Sequence, residues 1–230
     1  MQLSKSDLLL LSNFAAINQS ILFRPGQQQG TSSNSQSMIA YAGFEADFPK
    51  EFPLFDLNHF ISVYDLVAST GDVEIEFPAN ENHLIVRSEK TSQNLRAAPI
   101  EVIRVPPANS KPKNDPVISF YLSEDMLAYG KKSAAINTFP NLTFESDGKE
   151  IFMVSEDIEN PSTEKHRRKL DQTVADNFEF RVVFNVGRLK MLNDDYRVDI
   201  YSPNLGRFVS ENRDYTFFSA LDEDVTLSDE

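Results

Sequence analysis

The sequence predicts an α+β protein of two similar domains, each combining helices with an antiparallel sheet. The first observation behind this prediction is that the order helix, strands, helix, strands occurs twice along the 230 residues. The second is that short matches recur in the same order. Residues 15–18 return as residues 134–137, and the alternating residues 73–75 correspond to residues 198–200. Self-similarity of this kind predicts a duplicated fold.

The first half of the chain predicts two helices. Ser4 or Ser6 begins the first helix, with Asp7 in its first turn, and apolar residues at helical spacing continue to Ile17. Asp56 is the expected N-cap of a second helix that runs to about residue 68. Strands are predicted at residues 21–24, 38–47, 73–77, 83–87 and 93–97, and a polar loop at residues 25–36.

The second half repeats the pattern. Ser123 is the expected N-cap of a helix that ends at Ile136, and a short helix is predicted at residues 185–192. Asp147 and Gly148 indicate the turn of a hairpin. Strands are predicted at residues 117–122, 142–145, 150–155, 178–184, 198–201, 207–209 and 215–218.

Five prolines between residues 99 and 116 predict an extended connection between the halves. The expected organisation is therefore an N-terminal domain at residues 1–104, a connector at 105–116 and a C-terminal domain at 117–230. Edge strands at the two ends of such a chain favour head-to-tail pairing, which closes into a ring if the rotation allows.

Composition narrows the function classes. The chain carries 22 Lys and Arg against 35 Asp and Glu, a formal net charge of −13, so any contact with nucleic acid requires its cations on one face. Cysteine is absent and the three histidines lack partners at ligand spacing, so we expect no metal and no cofactor. With no nucleophile motif, we expect a protein that is not an enzyme and that stays in the cytoplasm.

Several segments resemble the sliding clamps of T-even-type bacteriophages. They are residues 1–5, 13–18, 55–58 with Phe60, 64–67 and 220–224. The resemblance implies a DNA-clamp fold, a homotrimeric ring of six similar domains, helices lining the hole and sheets forming the rim. It also implies double-stranded DNA, the phage replicative DNA polymerase and an ATP-driven clamp loader as partners, and a role in late transcription. The host-cell cytoplasm is then the expected location.

Superposing the two halves identifies the cations on the helices that would face DNA. They are Lys5, Lys131, Lys132, Arg188 and Lys190. Lys131 and Lys132 are equally compatible with a simple solvated helix face. The basic run at residues 165–169 is expected to be a loop, and it fits a phosphate contact, a solvated loop or a subunit contact.

Clamps of the resembled family receive partner peptides in an apolar groove beside the connector and the C-terminal strand. The matching residues here are Ile100, Ile103, Val105, Pro107, Phe217, Ala220 and Leu221. These side chains would equally serve to fasten the connector to the sheet. The alternative function for the whole chain is a non-enzymatic phage structural or scaffolding protein, which its acidity also suits.

Overall fold

The chain divides into two compact units, Met1–Asn109 and Ser110–Glu230, and the division falls inside the predicted connector. The structure is a computed structural model that describes residues 1–79, 81–107, 112–160 and 162–227, with the backbone alone at residues 174–177. Among these residues, no helix is both long enough and apolar enough to span a bilayer.

Unit 1 contains two helices that begin where local capping chemistry predicts. Helix α1 covers Lys5–Ile17, and Ser4 and Asp7 form a reciprocal capping box at its start. Helix α2 covers Leu57–Ala68, and the carboxylate of Asp56 accepts from the amide of His59 at 2.9 Å. Both helices bury one apolar face and leave the other exposed.

The strands of unit 1 form three small groups. The ranges are β1 Ile21–Phe23, β2 Gly26–Ser32, β3 Met38–Phe48, β4 Phe52–Leu54, β5 Glu74–Glu76, β6 His83–Arg87 and β7 Ser92–Arg96. Strand β1 pairs with β4, β2 pairs with β3, and β6 lies between β5 and β7, all antiparallel. A single 3-10 turn, Ile100–Val102, follows β7.

The predicted loop at residues 25–36 was wrong over its first half, because β2 occupies it. The buried side chain of Gln29 bonds main-chain groups of Arg24 and Gly26 at 2.8–2.9 Å. A polar side chain can be buried in a strand when nearby main-chain groups satisfy its hydrogen bonds. Amino-acid composition alone does not reveal this.

The core of unit 1 is a cluster of phenylalanines beneath the helices. Phe23 stacks on Phe48 with ring centroids 4.5 Å apart and meets Phe60 of α2 edge-on at 6.2 Å. Phe14 of α1 contacts Phe44 of β3 in the same manner. Each buried aromatic contributes on the order of 2–3 kcal/mol. These contacts fix both helices on the strands.

Unit 2 has one full helix, α3, at Glu124–Asn137. Its strands are β8 Ile118–Leu122, β9 Asn141–Glu156, β10 His166–Asn185, β11 Tyr196–Tyr201, β12 Leu205–Ser210, β13 Tyr215–Ala220 and β14 Thr226–Leu227. One group has the order β8, β11, β12, β13, and in the other β10 lies between β9 and β14.

Two predictions for unit 2 were wrong. The hairpin expected around Asp147 and Gly148 is absent, because β9 runs through both residues and pairs with β10. Gly148 has a φ of 85°, and the register shifts opposite it, so the Asp-Gly pair makes a bulge instead of a turn. The helix expected at residues 185–192 is reduced to one 3-10 turn, Val186–Arg188.

The predicted duplication is confirmed by corresponding main-chain hydrogen bonds in the two units. In unit 1 the chain leaving β7 donates from residue 97 to residue 82 and from residue 98 to residue 53, at 2.8 and 2.9 Å. In unit 2 the chain leaving β13 donates from residue 221 to residue 204 and from residue 222 to residue 183, at 3.0 and 2.9 Å. The chain that leaves the last strand of these groups is therefore held in the same way in both units.

A side chain closes part of the outer edge of β8. The amide of Gln172 accepts from the peptide nitrogen of Tyr121 at 2.8 Å and donates to the peptide oxygen of the same residue. On its other side, Tyr121 lies opposite Arg197 of β11.

Candidate nucleic-acid interface

The exposed face of α1 carries a cation and no exposed acid. Lys5 lies at its start, followed along the same face by Leu9, Ser12 and Ala16, all exposed. The one carboxylate of the helix, Asp7, is fully buried. Its oxygens accept from the amides of Ser4 at 3.0 Å and Glu45 at 2.8 Å. The acid in the first turn therefore does not oppose a phosphate on the outer face.

Helix α3 presents Lys132 to solvent but holds Lys131 differently. Lys131 is half-buried, its Nζ lies 3.5 Å from the carbonyl oxygen of Met191, and burial lowers its pKa to about 8. The two acids of α3, Glu124 and Asp125, are exposed and confined to the first turn, where they complement the helix dipole. Of the two predicted lysines, only Lys132 has the exposure of a phosphate contact.

The remaining two predicted cations differ in their environment. Arg188 forms an ion pair with Asp222 at 2.6 Å, and the same carboxylate accepts from the side-chain amide of Asn141. Lys190 is exposed. The pairing partly neutralises Arg188, so it offers less charge to DNA than the sequence suggests.

The basic run at residues 165–169 was predicted to be a loop, and this was wrong for residues 166–169, which form the start of β10. Its cations meet carboxylates of the neighbouring strand β9. The pairs are Lys165 with Glu156 at 2.5 Å, Arg167 with Glu145 at 3.2 Å, and Lys169 with Glu150. Cross-strand pairing of opposite charges stabilises a sheet, so this run has a structural role.

The other two residues of the run contact α3. The imidazole Nε2 of His166 lies 2.6 Å from the hydroxyl of Tyr129, and the guanidinium of Arg168 lies over the same ring at 4.1 Å from its centroid. A cation over an aromatic face is attracted by the ring quadrupole. These contacts attach α3 to β10 on the helix flank adjacent to Lys132.

The residues predicted for a partner groove differ widely in exposure. Ile100 is exposed, Val105 and Ala220 are half-buried and Pro107 is exposed, whereas Ile103 and Leu221 are buried. Phe217 is fully buried against Phe208 and offers no surface. The groove as a whole stays a prediction.

The beginning of the connector is held on the surface of unit 1. The hydroxyl of Tyr41 donates to the carbonyl of Pro107 at 2.6 Å, and Arg104 donates to the carbonyl of Asn34 at 3.3 Å. Pro106 is buried, and its Cγ lies 3.2 Å from where a β carbon on Gly30 would be. The absence of a side chain at Gly30 lets the connector approach the strand closely.

Sequence reasoning missed two features of unit 1. The first is Val102, 55% exposed beside Ile100 in the 3-10 turn. The second is an open cleft of about 510 Å³ bordered by residues 50–53, 81–82 and 97–100. Pro53 and Pro99 were the available signals, because proline has no N–H to donate to a neighbouring strand at either border. Within the described ranges, no group of three His, Asp or Glu side chains could hold a metal ion.

Comparison with solved structures shows that this fold is the sliding-clamp fold. PCNA of Thermococcus kodakaraensis matches with a TM-score of 0.67 and 14% identity, over 94% of this chain and 96% of that chain. PCNA of Entamoeba histolytica matches with a TM-score of 0.66 and 10% identity, over 94% of both chains. DNA polymerase III subunit beta of Pseudomonas aeruginosa matches with a TM-score of 0.64 and 14% identity. The match covers 93% of this chain and 61% of that subunit.

Curated relatives place the likeness among bacteriophages. The sliding clamp of Vibrio phage KVP40 is 27% identical over 219 residues, covering 94% of this chain and 97% of the relative. The sliding clamp of Escherichia phage RB69 is 25% identical over 207 residues and 87% of both chains. That of Enterobacteria phage T4 is 26% identical over 235 residues, 98% of this chain and 99% of the relative. No family model matches the chain. The resemblance to T-even-type phage sliding clamps is confirmed.

Proposed function

We propose that this chain is a subunit of a sliding clamp, a ring around duplex DNA that tethers the phage replicative DNA polymerase during processive synthesis. The observation that carries the proposal is the end-to-end likeness to phage sliding clamps, 97% of the Vibrio phage KVP40 protein being covered. An ATP-dependent clamp loader places the ring on DNA, and the same ring serves late transcription. The protein has no catalytic activity and works in the host cytoplasm.

The ring is a homotrimer closed by head-to-tail pairing of strand edges. Within the described residues, β7 is the outermost strand of its group, and residues 166–169 of β10 pair only with β9. Unpaired edges of this kind favour the addition of a strand from another chain, and a cyclic arrangement leaves no edge open. In this arrangement, unit 1 supplies β7 and unit 2 supplies residues 166–169 of β10.

The grip on DNA is weak, and the linkage is topological. Lys5 and Lys132 are exposed on α1 and α3, while the body of the protein carries a net charge of −13. A few phosphate contacts supply little affinity, and salt weakens that affinity further, but a closed ring stays linked to circular DNA by topology. Few contacts, none of them to bases, let the ring slide.

The decisive experiment combines particle mass, particle shape and activity. Light scattering should give three times the 26.1 kDa subunit mass, and negative-stain microscopy should show rings. The ring should stimulate its cognate polymerase on primed circular DNA only when loader and ATP are present. A strict monomer at tens of micromolar that gives no stimulation would exclude a clamp.

The alternative remains a non-enzymatic phage structural or scaffolding protein, favoured by the acidity of the chain. It predicts co-assembly with virion proteins and no effect on replication. The same polymerase assay separates the two functions.

A further inference from the structure

The basic run at residues 165–169 divides its side chains between two sides, because successive side chains of a strand point to opposite faces. The odd-numbered cations meet acids of β9 on one side. His166 and Arg168 lie on the other side and contact Tyr129 of α3. Within the described residues, neither Arg168 nor Lys132 of α3 forms an ion pair with a carboxylate.

Arg167 and Arg168 have the same charge and the same kind of aromatic contact. The guanidinium of Arg167 lies over Phe152 at 3.5 Å from the ring centroid, and that of Arg168 lies over Tyr129 at 4.1 Å. Arg167 also forms an ion pair with Glu145 at 3.2 Å. The charge of Arg167 is therefore compensated within the sheet, whereas that of Arg168 is left for a ligand.

Tyr129 holds Arg168 beside an exposed lysine. The hydroxyl of Tyr129 lies 2.6 Å from Nε2 of His166, and the face of its ring carries the guanidinium of Arg168. A guanidinium stacked on a ring keeps the N–H groups at its rim available for an oxyanion. Lys132 is exposed and follows Tyr129 by three positions, so it lies on the same flank of α3.

We propose that Arg168 and Lys132 together bind phosphate groups of duplex DNA, with Tyr129 as the residue that positions the guanidinium. This phosphate site rests on the proposed clamp function, and it adds a residue of the sheet to the cations of the helices. The planar fork of the arginine donates two N–H groups to the oxygens of one phosphate, and the lysine supplies a point charge. Contacts to phosphate carry no sequence information, so they are compatible with sliding.

An acid of a second copy of the chain is the competing occupant, because residues 166–169 also present an edge of β10. Side chains of a strand stand roughly perpendicular to the sheet, whereas an added strand bonds the main chain within the sheet. Arg168 extends towards α3 and contacts Tyr129 there. An added strand would therefore leave its guanidinium on the face of α3.

The salt dependence of binding to a short, blunt-ended linear duplex tests the proposal on the assembled protein. Fluorescence anisotropy gives the Kd at several salt concentrations. Arg168→Gln should reduce the slope of log Kd against log salt concentration by about 0.9, the value for one phosphate contact, and Lys132→Gln should do the same. Arg167→Gln removes the same charge one position away and should leave the slope unchanged. Equal losses in the Arg167 and Arg168 variants would overturn the site.

A double-mutant cycle tests the positioning role of Tyr129. Tyr129→Leu should raise the Kd by about two- to fivefold, the size of one exposed cation–π contact, and should cause no further loss in the Arg168→Gln background. Tyr129→Phe keeps the ring and should bind as the unmodified protein does. An equal loss from Tyr129→Leu in both backgrounds would mean that Tyr129 acts only on the fold.

Particle mass and polymerase stimulation separate this site from the clamp function itself. Each variant should keep its light-scattering mass on dilution. Selective dissociation of the Arg168→Gln variant would assign Arg168 to a subunit contact and overturn the phosphate site. If the unmodified protein stimulates its polymerase and Arg168→Gln keeps the full salt slope, the phosphate site fails and the clamp function stands. Absence of stimulation by the unmodified protein would refute the clamp function, on which this site depends.

Discussion

Gly206 of β12 lies against the ring of Phe184, and a β carbon at Gly206 would be 2.6 Å from two ring atoms. The ring is fully buried and contacts Phe208 with centroids 5.3 Å apart, so it has little room to retreat. We expect Gly206→Ala to lower the free energy of unfolding by about 1–3 kcal/mol, because overpacking displaces neighbours in a close-packed core. Urea denaturation at fixed protein concentration measures this change.

A double-mutant cycle is the control for that prediction. Phe184→Leu alone leaves a cavity and is destabilising, but in the Gly206→Ala background it also relieves the clash. The double variant should therefore be more stable than the sum of the two single costs predicts. Strict additivity would show that the two residues do not press on each other.

Substitutions of Lys131 and Lys132 should have different effects on the free energy of unfolding. Burial lowers the pKa of Lys131 from its ordinary value of 10.5 to about 8, so the charged form of this lysine is less favourable in the folded chain than in the unfolded chain. We expect Lys131→Met to raise the free energy of unfolding at pH 7 by roughly 1–3 kcal/mol. The exposed Lys132→Met should change it by less than about 0.5 kcal/mol. Chemical denaturation of both variants at pH 7 provides the comparison.

The pH dependence of the Lys131 effect has a definite sign. The unfolded chain titrates this lysine near 10.5 and the folded chain near 8, so between these values the unfolded chain binds more protons. The free energy of unfolding of the unmodified protein therefore increases as pH rises through this window. The advantage of Lys131→Met should shrink steadily from pH 8 to 10.5. An advantage that is constant with pH would mean that packing, not charge, explains it.

Glu156 should make stability fall in acid. Burial alone would raise the pKa of its carboxyl, but hydrogen bonds from Lys165, Thr143 and Arg181 outweigh burial and lower it. Its contribution is therefore present above its ordinary pKa of 4.5 and is lost as pH falls below that value. We expect Glu156→Gln to cost about 2–3 kcal/mol at pH 7 and progressively less below pH 4.5. Glu159→Gln, at an exposed position, is the matched control for denaturation at both pH values.

Charge reversal at Lys5 and Lys132 should weaken retention on DNA without breaking the ring. Each lost phosphate contact reduces the slope of the logarithm of the binding constant against the logarithm of salt concentration by about one. The Lys5→Glu, Lys132→Glu variant should dissociate faster from linear DNA at low salt and keep its light-scattering mass. Retention on closed circular DNA should change little, since topology holds the ring there. Unchanged dissociation from linear DNA would remove these two lysines from the contact surface.

Local chemistry made the helices predictable. Ser4, Asp56 and Ser123 each accept a main-chain hydrogen bond at a helix start, and all three helices begin one residue later. A capping residue acts within three positions of itself, so sequence carries the whole signal. The duplicated order of elements was likewise visible, because it needs only the periodicity of each segment.

Long-range partners explain what sequence reasoning missed. The basic run at residues 165–169 looks like a solvated loop until Glu145, Glu150 and Glu156 of β9 lie opposite it. Half-burial of Lys131 depends on Met191, sixty positions away. No local pattern encodes either pairing. The cleft in unit 1 was also missed, because its borders come from three segments that lie far apart in the sequence.

The bond pair between Gln172 and Tyr121 limits how this chain can associate. The side-chain amide of Gln172 occupies both the N–H and the carbonyl of Tyr121. No incoming strand can therefore hydrogen-bond to β8 at that residue. The edge of β8 is thus closed at Tyr121. For the ring proposed above, a side chain that occupies this part of a strand edge would disfavour open-ended fibre growth and favour an assembly of finite size.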